Sequence, residues 1–573
     1  MSEYKIEYIQ AKANIDTVMV DGYLLHSKYN PLQEAKMFAE REINQGYVHI
    51  LFGYGLGYIA NELIKLLDGK EKLIIIDPLF DILDNPTVDS AEFIVINSID
   101  ELEIKKYLLA TLENYERKIK VICSPNYDKI LQSEYLVLLK IIKDIQNTNI
   151  VNENTIRLFS NFWQENYIKN LLFMSEDASL KALQNAYTLP IVIASGGPSL
   201  TKQLPKLKAF SSKCIIIAAG STINSLLAAD IEPDFIVTID GSDENYVHFK
   251  DLHIKSAKLI YSVGSYYKIQ ENFKGERVAF VPMKEERLQK YIKNKFSTEI
   301  PIIFGGGSVA NFALHIATLI TSGPIAFIGQ DLAYTNNEFY AKNNKNLQII
   351  KEDVLNKREF IETEGYYGEK VFTTYEYLPM KESFEAFIRA RISNNEIYNC
   401  TEGGVKISGM NQIPFDEFCL NNSRTLDKSE KNIIINKNNL IGLSMLINVM
   451  GKELRMYKEM KADIKIAIKE VESTKKTAAF SPKNLNTLEK VDKKLKRNFE
   501  KVILERIADP LIIDVMRNFM PSENETKLEA YERVYKQNLA IYTGLLYVIH
   551  QTEAYIEEIL EMAKAQMERK ENI

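Results

Sequence analysis

The sequence contains few of the residues that carry common metal, disulfide and histidine chemistry. Its 573 residues include only 6 His, 4 Cys and 1 Trp. The cysteines form no CxxC pair and no cluster with histidine, so the sequence disfavours a structural zinc site and a disulfide framework; they are Cys123, Cys214, Cys400 and Cys419. We therefore expect a protein of the reducing cytoplasm, in which histidine-based catalysis has few candidate residues.

Long apolar runs and an excess of basic charge are also absent. No segment approaches the roughly 18–20 apolar residues that span a bilayer, and the N-terminus, MSEYKIEYIQ, lacks the basic start and apolar run of a signal peptide. The 71 Lys and Arg against 77 Asp and Glu give a net charge of -6, which disfavours a dedicated nucleic-acid binder. With 46% hydrophobic residues, the chain is expected to form about three or four globular domains.

Alternating strand-like and helix-like segments predict a Rossmann-like α/β domain over residues 1–175. A glycine-rich turn, Gly53-Tyr54-Gly55-Leu56-Gly57, follows the first β-rich run and precedes a helical pattern, Tyr58–Leu67. Strands that alternate with helices favour a parallel sheet with helices on its faces. The predicted strands are Val48–Phe52, Leu73–Ile76, Phe93–Ile96 and Ile119–Cys123.

Clearer strand runs predict a second α/β domain over residues 185–415, with a doubly wound parallel sheet. A polar stretch, 421–439, separates it from residues 440–573, where apolar residues from Met450 to Val471 recur at alternating spacings of four and three. That pattern predicts long amphipathic helices, and we expect a C-terminal helical bundle. The predicted strands of the central sheet are Ile191–Ala194, Cys214–Ala219, Phe235–Asp240, Lys258–Ser262, Val278–Pro282 and Ile325–Ile328.

The strongest local signal is the turn Ser195-Gly196-Gly197-Pro198-Ser199, which follows the first of these central strands. Gly196 and Gly197 let the backbone turn tightly and approach a ligand with no Cβ in the way. Ser199 is expected to cap a short helix reaching to Pro205, whose free N–H groups favour an anion such as phosphate. The competing interpretation is an ordinary glycine-rich turn between a strand and a helix.

Two neighbouring strand ends offer hydroxyls and carboxylates to the same crevice. One strand ends in Gly220-Ser221-Thr222, and the next ends in Asp240-Gly241-Ser242-Asp243. Asp240 could accept hydrogen bonds from a ribose or a base, or could bind a divalent metal together with Asp243. Asp-Gly pairs also cap turns very often, and this alternative stays open.

A third group of polar residues lies near residues 304–340. Gly307 and Ser308 end a run of three glycines before a helical pattern, which forms a second candidate anion nest. The next strand is followed by Asp331 and Tyr334, and Tyr340 lies six residues further on. Tyrosine hydroxyls can donate to a departing phosphate oxygen without adding net charge.

The glycine turn of the N-terminal segment resembles the glycine loop of nucleotide-binding or methyltransferase-like folds. Asp77 lies near a suitable distance for a ribose contact. The third glycine does not match the GxGxxG spacing, and we interpret this domain as structural rather than catalytic.

Several motifs together resemble the motility-associated factor (Maf) glycosyltransferases, which have an MptE-like central domain. The motifs are ASGGPSL, IEPDFIVTID, FGGGSVANFAL, IGQDLAY and a closing Asn399-Cys400-Thr401-Glu402-Gly403-Gly404, and the resemblance covers about residues 185–412. It implies transfer of a nonulosonic acid, such as pseudaminic or legionaminic acid, from its CMP ester to Ser/Thr hydroxyls of flagellin, for flagellar assembly and motility.

The central domain is also similar to bacterial sialyltransferases that have a GNGPSL turn, which implies a GT-A or sialyltransferase-like fold for this domain. That similarity implies that Gly196, Gly197, Pro198 and Ser199 line the CMP site, although the asparagine of the family falls on Gly196 here. It places Asp240 near the cytidine or ribose and Ser308 beside the phosphate. The spacing of Tyr334 and Tyr340 matches two tyrosines that hold the leaving phosphate, with the register to Asp331 shifted by one residue.

Three residues are candidates for the base that takes the acceptor proton, namely Asp331, Asp240 and His248. A CMP donor carries one phosphate and demands no metal, although Asp240 and Asp243 leave a divalent ion open. Two alternatives remain. One is transfer of pyrophosphate from ATP to a hydroxymethylpterin, with Asp240, Asp243 and Asp331 on magnesium. The other is a non-catalytic flagellin-binding protein.

Overall fold

A computed structural model of the chain describes residues 4–44, 46–67, 73–83, 93–97, 103–105, 107–108, 118–334, 340–345, 360–374, 376–390, 392–423, 431, 435, 440–521 and 525–571. The chain divides into two compact units, the first ending at Thr155 and the second built from Ile156–Pro521 with Glu525–Ile573. Within the ranges described, no helix is both long and apolar enough to cross a membrane.

The first unit contains a small antiparallel sheet and a four-stranded parallel sheet. The parallel sheet has the strand order β6-β5-β4-β7, and all four residues of β5, LIII, are buried because helices or loops cover both faces. The strands are β1 Ile6–Gln10, β2 Asp16–Val20, β3 Tyr23–Leu24, β4 Tyr47–Phe52, β5 Leu73–Ile76, β6 Phe93–Ile96 and β7 Lys118–Cys123. The helices are α1 Pro31–Glu42, α2 Tyr58–Leu66, α3 Tyr127–Ile130 and the start of α4, Gln132–Phe173.

The second unit is built on a sheet whose neighbouring strands are all parallel. Its order in the described part of the chain is β14-β13-β12-β11-β10-β9-β15-β18-β19, with β8 beside β13. Runs such as IVIA and IIIAA are buried throughout, as expected for strands covered on both faces. The strands are β8 Ala178–Ser179, β9 Ile191–Ala194, β10 Ile215–Ala219, β11 Phe235–Thr238, β12 Lys258–Ser262, β13 Arg277–Pro282, β14 Ile302–Ile303, β15 Ile325–Ile328, β18 Ile397–Asn399 and β19 Asn411–Gln412.

The order of these strands creates a switch point in the middle of the sheet. The chain proceeds outward from β9 to β14 and then returns to place β15 against the opposite side of β9. In open parallel sheets, ligands bind in the crevice at the carboxyl ends of the strands where the order reverses. The turns that follow β9, β10, β11 and β15 therefore meet at one edge.

Helices pack on both faces of the sheet, and an antiparallel hairpin follows β15. The hairpin is β16 Phe360–Glu364 with β17 Lys370–Thr374. The helices are α5 Leu200–Phe210, α6 Thr222–Ala228, α7 Asp243–Tyr246, α8 Tyr267–Asn272, α9 Glu286–Phe296, α10 Val309–Ile320, α11 Leu378–Arg389 and α12 Phe415–Asn421. The predicted fold class, α/β with parallel sheets and a helical C-terminal region, is confirmed.

In the described residues, the C-terminal part contains four α-helices, α13 Leu443–Ser473, α14 Pro482–Phe499, α15 Glu505–Asn518 and α16 Lys527–Glu571. Met450, Tyr457, Ile464 and Val471 of the predicted apolar series are fully buried. Lys461, a polar residue at the same spacing, pairs with Glu553 at 2.6 Å. The helices share one continuous apolar core with a face of the central sheet. Most of the polar stretch predicted as a boundary, 421–439, lies outside the described residues.

Candidate active site

A cavity of about 630 Å³ lies at the carboxyl edge of the central sheet. The turns after β9, β10, β11 and β15 and the start of α10 line it. It brings together ten of the residues predicted for the site, namely Gly196, Gly197, Ser221, Asp240, Gly241, His248, Gly307, Ser308, Asp331 and Tyr340. Pro198, Ser199, Asp243 and Tyr334 are not part of its lining.

The turn after β9 is locked to the turn after β15. The amide of Gly197 donates to the Gly329 carbonyl at 2.8 Å. A Cβ on Gly197 would lie 2.6 Å from that carbonyl oxygen and 2.2 Å from Asp331 Oδ2. Only glycine therefore lets these two turns approach so closely, and the approach brings the Asp331 carboxylate to the switch point.

Ser199 holds the Asp331 carboxylate instead of capping a helix. Its hydroxyl donates to Oδ1 at 2.6 Å and its amide donates to Oδ2 at 3.2 Å. The predicted cap is wrong, because Ser199 has helical dihedral angles and its side chain makes no capping bond. The helix also continues through Pro205 to Phe210. The amide expected to meet a phosphate at this helix start is thus already used by Asp331.

The closing Asn399–Gly404 motif packs behind Asp331. The Thr401 hydroxyl accepts the Gln330 amide at 3.1 Å, and the Val405 amide donates to the Asp331 carbonyl at 2.8 Å. Gly404 has a φ of +73°, and a Cβ there would lie 2.2 Å from the Asp331 carbonyl oxygen. The motif therefore positions Asp331 through its main chain.

The start of α10 opens towards the cavity. Ser308 caps this helix by accepting the Asn311 amide, and Gly307, Ser308, Val309 and Ala310 line the cavity. Two amides of the first turn, those of Val309 and Ala310, belong to the positive end of a twelve-residue helix and favour an anion there. This helix start is the second candidate anion nest of the sequence, and its binding of an anion stays a prediction.

Side chains of α10 and α11 hold the loop that precedes α10. A Cβ on Gly305 would lie 2.3 Å from the Phe312 ring, and one on Gly306 would lie 2.3 Å from Ser383 Oγ. Burial lowers the pKa of His315, so its neutral ring accepts the Phe304 amide on Nδ1 at 2.7 Å. The first two glycines therefore serve close packing.

The turn after β11 exposes the Asp240 carboxylate at the cavity. Asp240 Oδ1 accepts the Ser242 amide at 3.0 Å, which is the turn-capping contact of the alternative interpretation. Asp243 lies in the first turn of α7 and outside the lining. No group of three or more His, Cys, Asp or Glu side chains suited to a metal ion occurs among the described residues.

The segment after β15 contributes Tyr340 and returns the chain to the glycine turn. The Ala341 amide donates to the Gly196 carbonyl at 2.8 Å, and Asn344 Nδ2 donates to Ser221 Oγ at 3.2 Å. Tyr334 lies elsewhere, where its amide donates to Phe372 and its ring contacts Phe360 of the hairpin. The structure therefore brings only Tyr340 of the predicted tyrosine pair to the cavity.

The charges around the cavity are acidic. Asp240, Glu244 and Asp331 line it. His248, whose side chain is buried, is the one histidine of the described lining, which contains no lysine or arginine. Among the described lining residues, main-chain dipoles and hydroxyls are therefore the groups suited to meet an anionic ligand.

Several lining residues were not singled out from the sequence. Gln330 accepts the Ser195 hydroxyl at 2.6 Å, and Tyr377 and Met380 come from the segment that starts α11. Trp163 comes from α4, upstream of the predicted domain. Its being the only tryptophan was the one signal in the sequence that could have drawn attention to it.

The glycine turn of the first unit is filled by side chains of its own unit. Asp77 is fully buried and accepts the Tyr54 amide and the Tyr127 hydroxyl on Oδ2, each at 2.8 Å. Burial raises the pKa of Asp77, and these hydrogen bonds act in the opposite direction. The Leu56 amide donates to His26 Nε2 at 2.9 Å. The amides that would meet a nucleotide are thus already occupied.

Comparisons with known proteins agree with the fold of both parts of the chain. Residues 165–337 match a family described as 6-hydroxymethylpterin diphosphokinase MptE-like. The chain is similar to the solved structure of a Maf glycosyltransferase from Magnetospirillum magneticum AMB-1, with a TM-score of 0.58 and 14% identity over 98% of this chain and 95% of that one. No curated protein matches the sequence. The chain therefore carries an MptE-like domain within the fold of a Maf glycosyltransferase, which confirms the resemblance drawn from its motifs.

Proposed function

We propose that the protein is a glycosyltransferase that transfers a nonulosonic acid, such as pseudaminic or legionaminic acid, from a CMP-activated donor to Ser/Thr hydroxyls of flagellin. The observation that carries the proposal is the cavity at the switch point, where the start of α10 faces Gly196, Tyr340 and Asp331. The similarity of the whole chain to a Maf glycosyltransferase supports the same activity.

The proposed reaction is an inverting displacement at the anomeric carbon. The acceptor oxygen forms a bond to that carbon, the bond to the phosphate oxygen breaks, and CMP leaves with the electron pair. Negative charge grows on the phosphate, where the amides of Val309 and Ala310 and the Tyr340 hydroxyl would stabilise it. The acceptor proton passes to a cavity base, for which Asp331, Asp240 and His248 are the candidates.

The charge of the cavity favours a donor with a single phosphate. Asp240, Glu244 and Asp331 repel anions, and the described lining contains no lysine or arginine to offset them. A CMP ester brings less negative charge into this site than a nucleoside triphosphate does. A divalent ion on Asp240 remains part of the proposal to be tested.

A second candidate function follows from the family description of residues 165–337, which names a hydroxymethylpterin diphosphokinase. That reaction would use Asp240, Asp243 and Asp331 on magnesium. The position of Asp243 outside the cavity lining counts against it. A thermal-shift comparison separates the two: stabilisation by CMP supports the transferase, and stabilisation only by ATP with magnesium supports the kinase.

The decisive experiment is co-expression with flagellin and a pathway that makes a CMP-nonulosonic acid, followed by the intact mass of flagellin. We expect a mass increase of one or more sugar residues with the wild-type protein. The Asp331→Asn variant should give unmodified flagellin, and Asp230→Asn is the matched control, because Asp230 is exposed and lies outside the cavity lining. Flagellin that copurifies with the protein but keeps its mass, with donor present, would support the non-catalytic binding protein instead.

A further inference from the structure

The only tryptophan of the chain faces the candidate donor cavity. Trp163 lies on α4, Gln132–Phe173, which precedes the central sheet, and its side chain is half-buried and lines the cavity. The other described aromatic side chains of the lining, Tyr340 and Tyr377, come from segments that follow β15. An aromatic side chain of the lining is therefore supplied by a separate element.

Neighbouring side chains hold the indole in place. The ring of Phe159 stacks with it at a centroid distance of 6.1 Å, and the Arg506 guanidinium lies 5.4 Å from its centroid. Arg506 is itself anchored, because Nε donates to Glu285 Oε2 at 3.2 Å and a second nitrogen contacts the same carboxylate. An aromatic ring fixed in this way loses little freedom when a ligand packs on it.

The indole lies at the β11 end of the cavity. A Cβ on Gly241 would come within 3.0 Å of Trp163 Cδ1, so the glycine makes room for the ring beside Asp240. Asn166, one turn further along α4, donates to the Gly241 carbonyl at 2.9 Å and fixes the helix to this turn. The indole and the exposed Asp240 carboxylate thus border the same turn of the cavity.

The remaining groups follow in order along the edge of the sheet. The start of α10 lies over the end of β10, where a Cβ on Gly220 would meet Val309 at 3.2 Å. Gly196 with Tyr340 follows at β9, and Asp331 follows at β15. At about 4.8 Å between neighbouring strands, the edge from β11 to β15 spans about 14 Å. Along the edge of the sheet, the indole therefore comes first, the helix start that favours an anion comes second, and the candidate reacting groups follow.

We infer that Trp163 is the platform on which the nucleobase of the donor stacks, with the Asp240 carboxylate beside it to accept hydrogen bonds from the base or ribose. The inference rests on the proposed function and deepens it, because a nucleotide sugar has the same linear order of base, phosphate and sugar. It makes Trp163 a specificity-determining residue outside the sheet turns. The alternative is that the sugar of the donor, and not its nucleobase, packs on the indole.

The lone tryptophan also provides the test. In the full-length protein, tryptophan fluorescence reports on this residue alone, and affinities are measured in parallel by calorimetry. We expect CMP and cytidine to quench the fluorescence, whereas inorganic phosphate and the free nonulosonic acid leave it unchanged. Quenching by the free sugar and not by cytidine would overturn the assignment.

Substitutions of Trp163 show whether the residue contributes to binding of the base or only changes its fluorescence when the base binds nearby. Trp163→Ala should weaken CMP binding roughly tenfold or more, and Trp163→Phe should retain most of the affinity. Trp163→Leu keeps apolar bulk on the helix but removes stacking, so it tests the idea even if the alanine variant fails to fold. Phe162→Ala is the matched control, because Phe162 is an exposed aromatic residue on the same helix outside the cavity lining.

Different results would overturn the role of Trp163 and the assignment of the donor. Wild-type affinity for CMP in a folded Trp163→Leu variant overturns the role of Trp163 and leaves the transferase standing. A wild-type protein that binds no CMP by calorimetry overturns the donor assignment and the inference together.

Discussion

Two glycine-rich turns of this chain have similar positions in the fold and different surroundings. Each follows a buried parallel strand and precedes a helix. The turn of the first unit, Gly53–Gly57, is packed against Tyr127 and His26 and bonded to Asp77. The turn of the second unit, at Gly196 and Gly197, borders a cavity of about 630 Å³.

Because one turn is packed by side chains and the other borders a cavity, glycine spacing alone does not identify a ligand site. In the first turn, Gly53 is needed because the Tyr127 ring would lie 2.5 Å from a Cβ there. In the second turn, Gly197 is needed because a strand end approaches, and the space beside it stays open. Residues distant in sequence decide between the two outcomes, and the following changes test this contrast.

The largest effect is expected from removing the carboxylate that fills the first turn. Asp77→Ala leaves the amides of Tyr54, Gly55 and Leu79 without their buried acceptor and should destabilise the first unit by about 4 kcal/mol. Hydrogen exchange of β4 and β5 in the full-length protein measures this loss. CMP affinity should not change, and Glu40→Ala, an exposed control in the same unit, should have little effect. Loss of CMP binding in Asp77→Ala would contradict the contrast.

A Cβ added at Gly197, in the turn of the second unit, should lower the affinity for CMP. Gly197→Ala places a Cβ 2.6 Å from a backbone oxygen and 2.2 Å from Asp331, so the two turns must separate. We expect CMP affinity to fall roughly 100-fold or more, about 3 kcal/mol, as measured by calorimetry. Gly451→Ala, on α13 where a Cβ would meet nothing within 4 Å, is the control outside the cavity and should bind CMP normally. Normal binding by Gly197→Ala would show that this turn does not shape the site.

Acidic pH should lower the stability of the first unit at its glycine turn, Gly53–Gly57. Burial lowers the pKa of His26 to about 4, so the unfolded chain takes up a proton before the folded one as the pH falls. The stabilisation is complete above about pH 6.5 and is lost towards pH 4, with a loss of about 2 kcal/mol between pH 7.5 and 5. Hydrogen exchange of β4 against pH measures it. His26→Gln keeps an acceptor for Leu56 and should flatten that profile, and an equally steep profile in this variant would assign the effect to other groups.

The smallest effect is expected at Ser199. Its hydroxyl donates to Asp331 but does not line the cavity, so Ser199→Ala should cost about 1.5 kcal/mol of stability and leave CMP affinity nearly unchanged. Thermal unfolding and calorimetry on the same sample measure both. Abolished CMP binding with unchanged stability would restore the direct nucleotide contact that the sequence resemblance implied.

Most strands of both sheets could be predicted because parallel strands covered on both faces are continuous apolar runs. Leu73–Ile76, Ile191–Ala194 and Ile325–Ile328 agree with the structure at both ends. Shorter strands such as β14 and β18 were missed, since two or three residues carry no periodic signal. Ten of the fourteen different site residues named from the sequence line the cavity, because strand ends share one edge.

The sequence by itself determined the α/β class, the helical C-terminal part and the strand ends that meet at the site, because burial on both faces and helical periodicity are written in local residue patterns. Only the tertiary structure decided that β15 returns beside β9, that Ser199 bonds to Asp331, that one glycine turn is filled and the other open, and that Trp163 reaches the cavity from α4. These features depend on contacts between residues far apart in the chain, which local patterns do not encode.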